Sequence, residues 1–434
     1  MGGIWRKPVP PPPPPSMLSH FKIQIGEPYF QVALTIFIAV LTVVLFSPPL
    51  RLRFGGIYGR VRLFLLLSTP SISTSSPSRR VVSLHSYPLK SCQALNHDSV
   101  TLSSYGLKND RVLMIVRSGS KAYEPKRFFT QRQCGGLATI KIEPYPTKIA
   151  STSTRYKLTS SILPRSSPPL IIEYPPPATN TKTEPVILWD DTLQVIDMGD
   201  SASSYITNIV NHFEAPTRSS LPPRISPYGT LRLVAFDPKS NCRYPNPFYF
   251  PSTALTLSGI PPQSALSDGF PILITTTASL RDLNDHITAR HSRKTSSPTN
   301  ISMDQLFKNK PNSPPPTVTM DRFRANIVIE NSVPWEEDSW RIIRINKQIF
   351  HIVKGCPRCK QSCTDQKTGE VTEEPVETLK TFRCMSTLHP DDVYFGQNVS
   401  TNSVGPVSVG DEVEVLVSDP KGRGVWDKGP VSAE

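Results

Sequence analysis

Three cysteines lie close together in a positively charged segment, KGCPRCKQSC, in the last quarter of the chain. The cysteines are Cys356, Cys359 and Cys363, and the cations beside them are Lys354, Arg358 and Lys360. Thiolates bind soft metals, form redox pairs and act as nucleophiles. The segment is therefore the first candidate for the chemistry of this protein, and four kinds of site compete for it.

A zinc site would use the knuckle spacing of Cys356 and Cys359, with Cys363, Cys384 and His389 as further ligands. The sequence has no second Cys-x-x-Cys pair to complete the usual pattern. An iron–sulfur cluster lacks a fourth cysteine at cluster-like spacing. A thioredoxin-like redox pair would open a helix in a βαβ unit, whereas this one follows a predicted strand, QIFHIV. Zinc stays open as an alternative.

The fourth interpretation is one thiolate surrounded by cations. Lys354, Arg358 and Lys360 would favour the metal-binding anion of a neighbouring cysteine and would also attract a phosphate group. A thiolate is a soft donor and suits a soft metal. The segment thus indicates one anionic cofactor that carries a metal.

Further hydrogen-bond donors stand at the ends of predicted strands far from this segment. They are Lys90 and Ser91 in YPLKSC, Arg111 in KNDRVLMIV, Thr130 and Arg132 in FFTQRQC, and Arg324 and Asn326 in MDRFRANIVI. A single arginine beside a strand is more often a surface salt-bridge partner. Together, these side chains would form a pocket for a phosphate and a polar heterocycle.

Short runs of apolar residues separated by turn residues predict a mainly β protein with a few helices, of the α+β class. VILWDDTLQVIDMGD has the pattern of a hairpin. Helical spacing occurs at Ser201–Phe213, with a cap at Asp200 or Ser201, and a second helix is predicted after a cap near Thr277.

The chain is also predicted to carry an N-terminal membrane anchor. Its apolar run has no charge, ends at two prolines and approaches the roughly 20 residues that a spanning helix needs. The arginines that follow it would keep the C-terminal side in the cytosol. The predicted organisation is a disordered Pro-rich tail (1–28), the anchor (29–50), a basic linker (51–80), a first domain (81–224), a second domain (225–420) with a disordered insertion (294–317), and a tail (421–434).

The net charge of +13 does not indicate a nucleic-acid groove. Residues 1–80 contain nine Lys and Arg residues and one acid, so they supply +8 of that charge. The excess therefore belongs to the part near the anchor. Seven cysteines, an odd number, are not typical of a secreted disulfide framework. We expect a reducing compartment, no nucleic-acid partner and a monomer.

In these motifs the chain resembles MOSC-domain proteins of the mitochondrial amidoxime-reducing component type. SYPLKSC, GLKNDRVLMIV, FFTQRQ, FRANIVI, EEDSW, GCPRC, EPVETLKTFR and FGQN occur in the order of that family, between about Val81 and Val417. The resemblance implies an N-terminal MOSC β-barrel domain followed by a β-barrel-like MOSC domain. The predicted transmembrane helix also fits this family.

The resemblance implies a molybdenum cofactor whose metal is bound by Cys359, which is then both metal ligand and catalytic residue. The residues implied to bind the pterin and its phosphate are Lys90, Ser91, Arg111, Thr130, Arg132, Ser267, Asp268, Arg324, Asn326 and Arg358. After Asp268 the family prefers hydroxyl residues, whereas this chain has Gly269 and Phe270. Phosphate contacts there would come from backbone N–H groups or be lost.

The implied activity is reduction of N-hydroxylated compounds such as amidoximes and hydroxylamines. The sequence has no Rossmann glycine fingerprint and no haem or flavin motif, so electrons would come from a b-type cytochrome and its NADH-dependent reductase, as in the family. One alternative is a carrier of sulfurated molybdenum cofactor, and we expect no pyridoxal-phosphate domain in this chain. The other is a non-enzymatic, membrane-anchored zinc module. The family favours the mitochondrial outer membrane, and the endoplasmic reticulum accepts similar anchors.

Overall fold

The computed structural model describes residues 78–118, 125–146, 153–177, 183–215, 228–239, 243–245, 263–296 and 316–419. The predicted Pro-rich tail, anchor and C-terminal tail lie outside these residues, as do most of the linker and most of the insertion. In the described part of the chain, no helix combines the length and the apolar character that crossing a bilayer requires.

The described residues form nineteen strands and three α-helices, so the mainly β prediction is confirmed. The strands are β1 (Arg80–Ser86), β2 (Leu95–His97), β3 (Ser99–Ser103), β4 (Gly106–Leu107), β5 (Leu113–Arg117), β6 (Lys126–Phe129), β7 (Ile140–Tyr145), β8 (Thr154–Ser160), β9 (Leu170–Tyr174), β10 (Thr183–Leu188), β11 (Asp191–Asp197), β12 (Leu231–Phe236), β13 (Ile272–Thr276), β14 (Ile327–Glu330), β15 (Trp340–Ile345), β16 (Gln348–Arg358), β17 (Val393–Ser400), β18 (Gly405–Ser408) and β19 (Val413–Ser418). The helices are α1 (Asp200–Glu214), α2 (Thr277–Ser296) and α3 (Val376–Leu379).

Five strands close into a barrel in the order β10-β11-β12-β5-β6. The predicted hairpin is confirmed as β10 and β11, which pair from Thr183 with Ile196 to Leu188 with Asp191. Successive apolar residues on β5 and β12 belong to two different cores. One set forms the barrel core, and the other packs with the apolar residues of α1. Strands β7, β8 and β9 form a separate antiparallel sheet beside it.

A second, eight-stranded sheet has the order β19-β15-β16-β17-β13-β14-β1-β2. The parallel pair β13 and β14 is connected through α2, and β15 pairs with β16 as an antiparallel hairpin. Buried Ile, Val and Leu side chains form its core around Trp340 and Tyr394. A small sheet, β18-β3-β4, packs on the same core.

Two strands near the predicted limits of the first domain, residues 81 and 224, pair outside the domain to which the sequence assigned them. Strand β12 lies after residue 224, yet it pairs with β5 and β11 in the barrel. Strand β1 belongs by sequence to the first domain, yet it pairs with β14 of the large sheet. A strand that pairs with a partner distant in sequence carries no local signal of that partner. The prediction from composition therefore assigned β1 and β12 to different domains from the sheets in which they pair.

Both predicted helices are present, but one is capped differently from the prediction. Helix α1 begins at Asp200 after Gly199, whose φ is 89°, and neither Asp200 nor Ser201 caps it with its side chain. Glycine adopts this conformation without the steric cost that other residues have. Helix α2 begins at Thr277 as predicted, and the Thr276 hydroxyl accepts the N–H of Ser279 at 3.2 Å.

His351 is a fully buried imidazole on β16. It is 0% exposed, and neither ring nitrogen has a hydrogen-bond partner among the described residues. Burial lowers its pKa from 6.5 to about 4. Between those two pH values the unfolded chain binds a proton that the native protein does not, so this group destabilises the native state as the pH falls.

Replacing His351 with leucine should remove this acid sensitivity. The pKa values of about 4 and 6.5 imply that the wild type loses about 2 kcal/mol of unfolding free energy through this group between pH 7 and pH 5. The variant should lose that much less. Urea unfolding of both full-length proteins at the two pH values measures the difference, and equal losses would contradict the prediction.

Candidate functional site

Ten of the eleven residues assigned to the site from the sequence line one cavity of about 130 Å³. These ten are Lys90, Ser91, Arg111, Arg132, Ser267, Asp268, Arg324, Asn326, Arg358 and Cys359. They come from turns beside the barrel strands and from the ends of strands in the large sheet. The cavity therefore lies where these two parts of the fold meet.

Left-handed backbone turns hold three of these side chains. Ser91, Arg111 and Arg324 have φ angles of 66°, 49° and 57°, which residues other than glycine rarely adopt. Each stands in the connection just before or after a strand. Such conformations cost energy and cluster at functional sites, where the surrounding structure maintains them.

Cys359 follows the last residue of β16 and has an exposed thiol. Its Sγ accepts a hydrogen bond from Nε of Arg132 at 3.2 Å. Arg358, its neighbour in sequence, instead donates to the carbonyls of Phe395, at 2.9 and 2.7 Å, and of Phe323, at 2.9 Å. The cation beside the sulfur is thus supplied by a residue more than two hundred positions earlier, which no local spacing could reveal.

The other two cysteines of the segment are more buried. Burial raises the pKa of Cys356 and of Cys363, and the Cys363 thiol donates to the Glu373 carbonyl at 3.5 Å. In the described part of the chain, which includes Cys384 and His389, no three His, Cys, Asp or Glu side chains are grouped closely enough to hold a metal. The ligand set of the zinc alternative is therefore not assembled there.

An ion pair closes one side of the cavity. Nζ of Lys90 lies 2.6 Å from Oδ1 of Asp268 and 3.1 Å from the Leu266 carbonyl, and Nε1 of Trp189 donates to the same Oδ1 at 3.0 Å. Burial lowers the pKa of Lys90 to about 8, although Asp268 opposes this change. Burial would raise the pKa of Asp268, but the charges of Lys90 and Arg132 hold it below its usual range. Both groups are therefore charged at neutral pH.

Arg243 fixes the loop that carries Ser267 and Asp268, and sequence reasoning missed it. Its guanidinium donates to the carbonyls of Ser267 and, at 2.5 Å, of Asp268, while its Nε pairs with Asp191 at 2.5 Å. The residue is only 7% exposed, so it acts as an internal support of the loop. Its segment, NCRYPNP, has no periodic pattern that would have marked it.

Three buried polar atoms of the lining have no hydrogen-bond partner among the described residues: Oγ of Ser91, Nε of Arg322 and Nη2 of Arg324. Leaving such groups unpaired is costly, so they mark places where a bound group would supply partners. A phosphate has enough acceptor oxygens for all three. Arg322 is a further residue that the prediction omitted, although it stands only two positions before Arg324.

Thr130 is the predicted residue that is not part of this lining. Its hydroxyl donates to Oε1 of Gln133 at 2.7 Å and accepts the backbone N–H of Arg132 at 3.2 Å. Thr130 is 1% exposed. Its place in the structure is to shape the turn that presents Arg132 to the cavity.

Two family models match successive parts of the chain, on either side of β12. The MOSC N-terminal beta barrel domain matches residues 78–212, and the MOSC domain matches residues 261–414. The chain is a MOSC-domain protein. The cysteine segment, Asp268 and Arg324 all lie in the MOSC domain itself, whereas Lys90 and Arg132 lie in the N-terminal barrel match.

Curated relatives of this MOSC-domain protein include amidoxime-reducing components. Mitochondrial amidoxime-reducing component 1 of Homo sapiens is 26% identical over 345 residues, which are 77% of this chain and 82% of that protein. Mitochondrial amidoxime reducing component 2 of Bos taurus is 24% identical over 340 residues, 76% of this chain and 81% of that protein. Molybdenum cofactor sulfurase of Danio rerio is 37% identical over 101 residues, 23% of this chain and 12% of that protein.

The contact between Arg132 and Cys359 predicts selective thiol reactivity in the MOSC-domain protein prepared without any cofactor. Cys359 and Cys384 are exposed, so both should react with iodoacetamide faster than the buried Cys92 and Cys363. Arg132→Gln removes the cation beside Cys359 and should slow its alkylation about fivefold, since an exposed charge contact is worth up to about 1 kcal/mol. Cys384 is the internal control and should not change.

Peptide mapping by mass spectrometry over a time course measures these rates. If Arg132→Gln slows both exposed cysteines equally, the change reflects altered protein conformation and the local contact is not its cause.

Proposed function

We propose that this MOSC-domain protein binds a molybdenum cofactor in the cavity and reduces N-hydroxylated compounds such as amidoximes and hydroxylamines. The observation that carries the proposal is the meeting of one exposed thiol, Cys359, with unpaired cationic donors in a single cavity. A soft thiolate beside a phosphate-binding surface suits a cofactor that joins a metal to a phosphorylated pterin. The similarity to amidoxime-reducing components over most of the chain supports the same proposal.

The donor set of the cavity fits such a cofactor. Cys359 would bind the metal, and the unpaired atoms of Ser91, Arg322 and Arg324 would bind acceptor oxygens of the pterin and its phosphate. When bound, the cofactor supplies the two electrons that cleave the N–O bond of the substrate. The protein supplies the ligand, the orientation and the electrostatic field.

Charge retention at neutral pH is the main contribution of the surrounding residues. The pKa of Lys90 is about 8, so its Nζ keeps its proton at pH 7 and its charge helps to balance a bound phosphate. Arg324 is 8% exposed, and although burial lowers its pKa, a guanidinium remains charged at this pH. Arg132 donates to the sulfur of Cys359 at 3.2 Å, so its guanidinium occupies one of the directions from which a substrate would reach the sulfur.

The electron donors and the membrane attachment are further parts of the proposal. We expect a b-type cytochrome and its NADH-dependent reductase to deliver electrons, because the sequence contains no haem or flavin motif of its own. The apolar run at residues 29–50 would anchor the protein in one pass with its catalytic part in the cytosol. The names of the relatives favour mitochondria, and hence the outer membrane.

A second candidate function is a carrier that hands a sulfurated molybdenum cofactor to another enzyme. It is favoured by the 37% identity to a molybdenum cofactor sulfurase over 101 residues. The two functions differ in turnover. A reductase converts many substrate molecules per cofactor with a chemical or cytochrome electron donor, whereas a carrier restores activity to a cofactor-free molybdoenzyme and reduces no amidoxime.

The proposed metal ligand can be tested by metal content and turnover. Full-length wild-type protein from a host that makes the cofactor should contain about one molybdenum per chain and reduce benzamidoxime. Cys356→Ala should retain both properties. Cys359→Ala should lose the reduction, because the metal then lacks its protein ligand, even if some cofactor stays bound through the pterin contacts.

Elemental analysis and product assay measure both quantities. If the wild type instead carries zinc that is lost with either cysteine, the cysteine segment is a zinc site and the reductase proposal fails.

The anion-binding role of Arg324 predicts weaker cofactor retention in Arg324→Lys. Lysine keeps the charge, but its single nitrogen cannot reproduce the planar guanidinium, which donates from Nη1 to the Cys92 carbonyl at 2.6 Å and holds the unpaired Nη2 in a fixed direction. We expect roughly tenfold faster cofactor loss on dialysis, in line with hydrogen bonds to charged groups. The control is Arg155→Lys, which changes a half-buried arginine that donates to the Pro146 carbonyl at 3.1 Å and does not line the cavity. Equal retention in both variants would contradict the assignment.

A further inference from the structure

Trp189 contacts two residues of the cavity lining, although no pattern in the sequence marked it. Its indole Nε1 donates to Asp268, and the guanidinium carbon of Arg132 lies 5.0 Å from its ring centroid. Both of these partners line the cavity, and Arg132 contacts the sulfur of Cys359 at 3.2 Å. One guanidinium therefore separates the indole from the thiol.

The backbone at Trp189 is unusual for so large a side chain. The residue is the first of the two that connect β10 to β11, and its φ is 58°. The first position of such a tight hairpin turn favours glycine when φ is positive, because a Cβ there has a steric cost. The turn itself does not need an indole, so the ring must be explained by what it contacts.

The ring is also incompletely covered. Trp189 is 44% exposed, and its aromatic neighbour is Phe128, with ring centroids 5.0 Å apart. A tryptophan that only stabilised the barrel would bury most of its surface. Instead, part of the aromatic surface remains exposed next to two lining residues, while the hydrogen bond to Asp268 and the contact with Arg132 hold the ring in place.

We propose that Trp189 is a specificity-determining residue: the open part of its ring is a stacking surface that favours flat, aromatic N-hydroxylated substrates over small aliphatic ones. The inference rests on the proposed reductase function and names the substrate class of the same site. An aryl group lies against the indole while the attached N–O group enters the cavity beside Cys359. Offset stacking between aromatic rings supplies the preference.

The test compares benzamidoxime with acetamidoxime, which share the reacting group and differ in the ring. Full-length holoenzyme is assayed as wild type, Trp189→Gly and Trp189→Phe. Trp189→Gly should raise KM for benzamidoxime about fivefold to tenfold, a change of about 1 to 1.4 kcal/mol, and leave kcat and the KM for acetamidoxime nearly unchanged. Trp189→Phe retains a ring and should restore most of the preference.

Two measurements without turnover accompany the kinetics. Calorimetric titration of benzamidoxime into the oxidised holoenzyme, without electron donor, should show the same weakening of Kd in Trp189→Gly. The thermal unfolding midpoint of that variant should stay close to that of the wild type, because glycine relieves the left-handed backbone. Tyr145→Ala is the matched control: Tyr145 is 37% exposed and also lies under an arginine, Arg155, at 4.9 Å, but Arg155 does not line the cavity, whereas the Trp189 partners Asp268 and Arg132 do.

The results separate this inference from the proposed function. If wild type reduces both amidoximes and Trp189→Gly changes neither KM, or changes both equally, the stacking role is overturned and the reductase stands. An equal change would mean that Trp189 acts only by positioning Arg132 and Asp268. If wild type reduces neither compound, the proposed function itself fails.

Discussion

The side-chain amide of Asn326 connects the elements that form the site. It is fully buried, and its Oδ1 accepts hydrogen bonds from Arg111 at 2.8 Å and from the N–H of Leu273 at 3.1 Å. Its Nδ2 donates to the His85 carbonyl at 3.1 Å. One amide group thus ties β1, β13 and the turn before β5 to the start of β14. A buried amide with two bonds to its oxygen and one from its nitrogen favours one geometry, and the cavity residues on these turns are placed relative to it.

Carboxylates neutralise only part of the positive charge of the cavity. Lys90, Arg111 and Arg322 pair with carboxylates. Arg324 instead lies over the ring of Tyr87 at 4.2 Å, and Arg111 also lies over that ring at 4.5 Å. Arg358 lies over Phe323 at 5.3 Å and donates to backbone carbonyls. Aromatic faces and carbonyl oxygens stabilise positive charge while leaving the net charge in place. An anionic ligand therefore finds both charge and unsatisfied donors.

Local patterns in the sequence predicted much of the fold and only part of the site. The hairpin of β10 with β11 and the helices α1 and α2 were predictable because each depends on spacing within one segment, as in VILWDDTLQVIDMGD. The pairing of β1 with β14 and the place of β12 in the barrel depend on strands that are distant in sequence. Local spacing therefore did not predict either of them. For the same reason Cys359 was expected to have Arg358 beside its sulfur, whereas Arg132 occupies that place. Arg243 and Trp189 act through contacts across the fold, so nothing near them in sequence marked them.

The pairing of β1 with β14 also sets the order in which the chain can complete its structure. Arg80 pairs with Glu330, a residue made about 250 positions later on the ribosome, and β3 pairs with β18 later still. The N-terminal strands thus leave the ribosome long before their partners exist. Their apolar faces must stay protected during synthesis, since exposed strand edges invite aggregation. The topology thus delays the burial of the N-terminal strands until almost the whole chain has been synthesised.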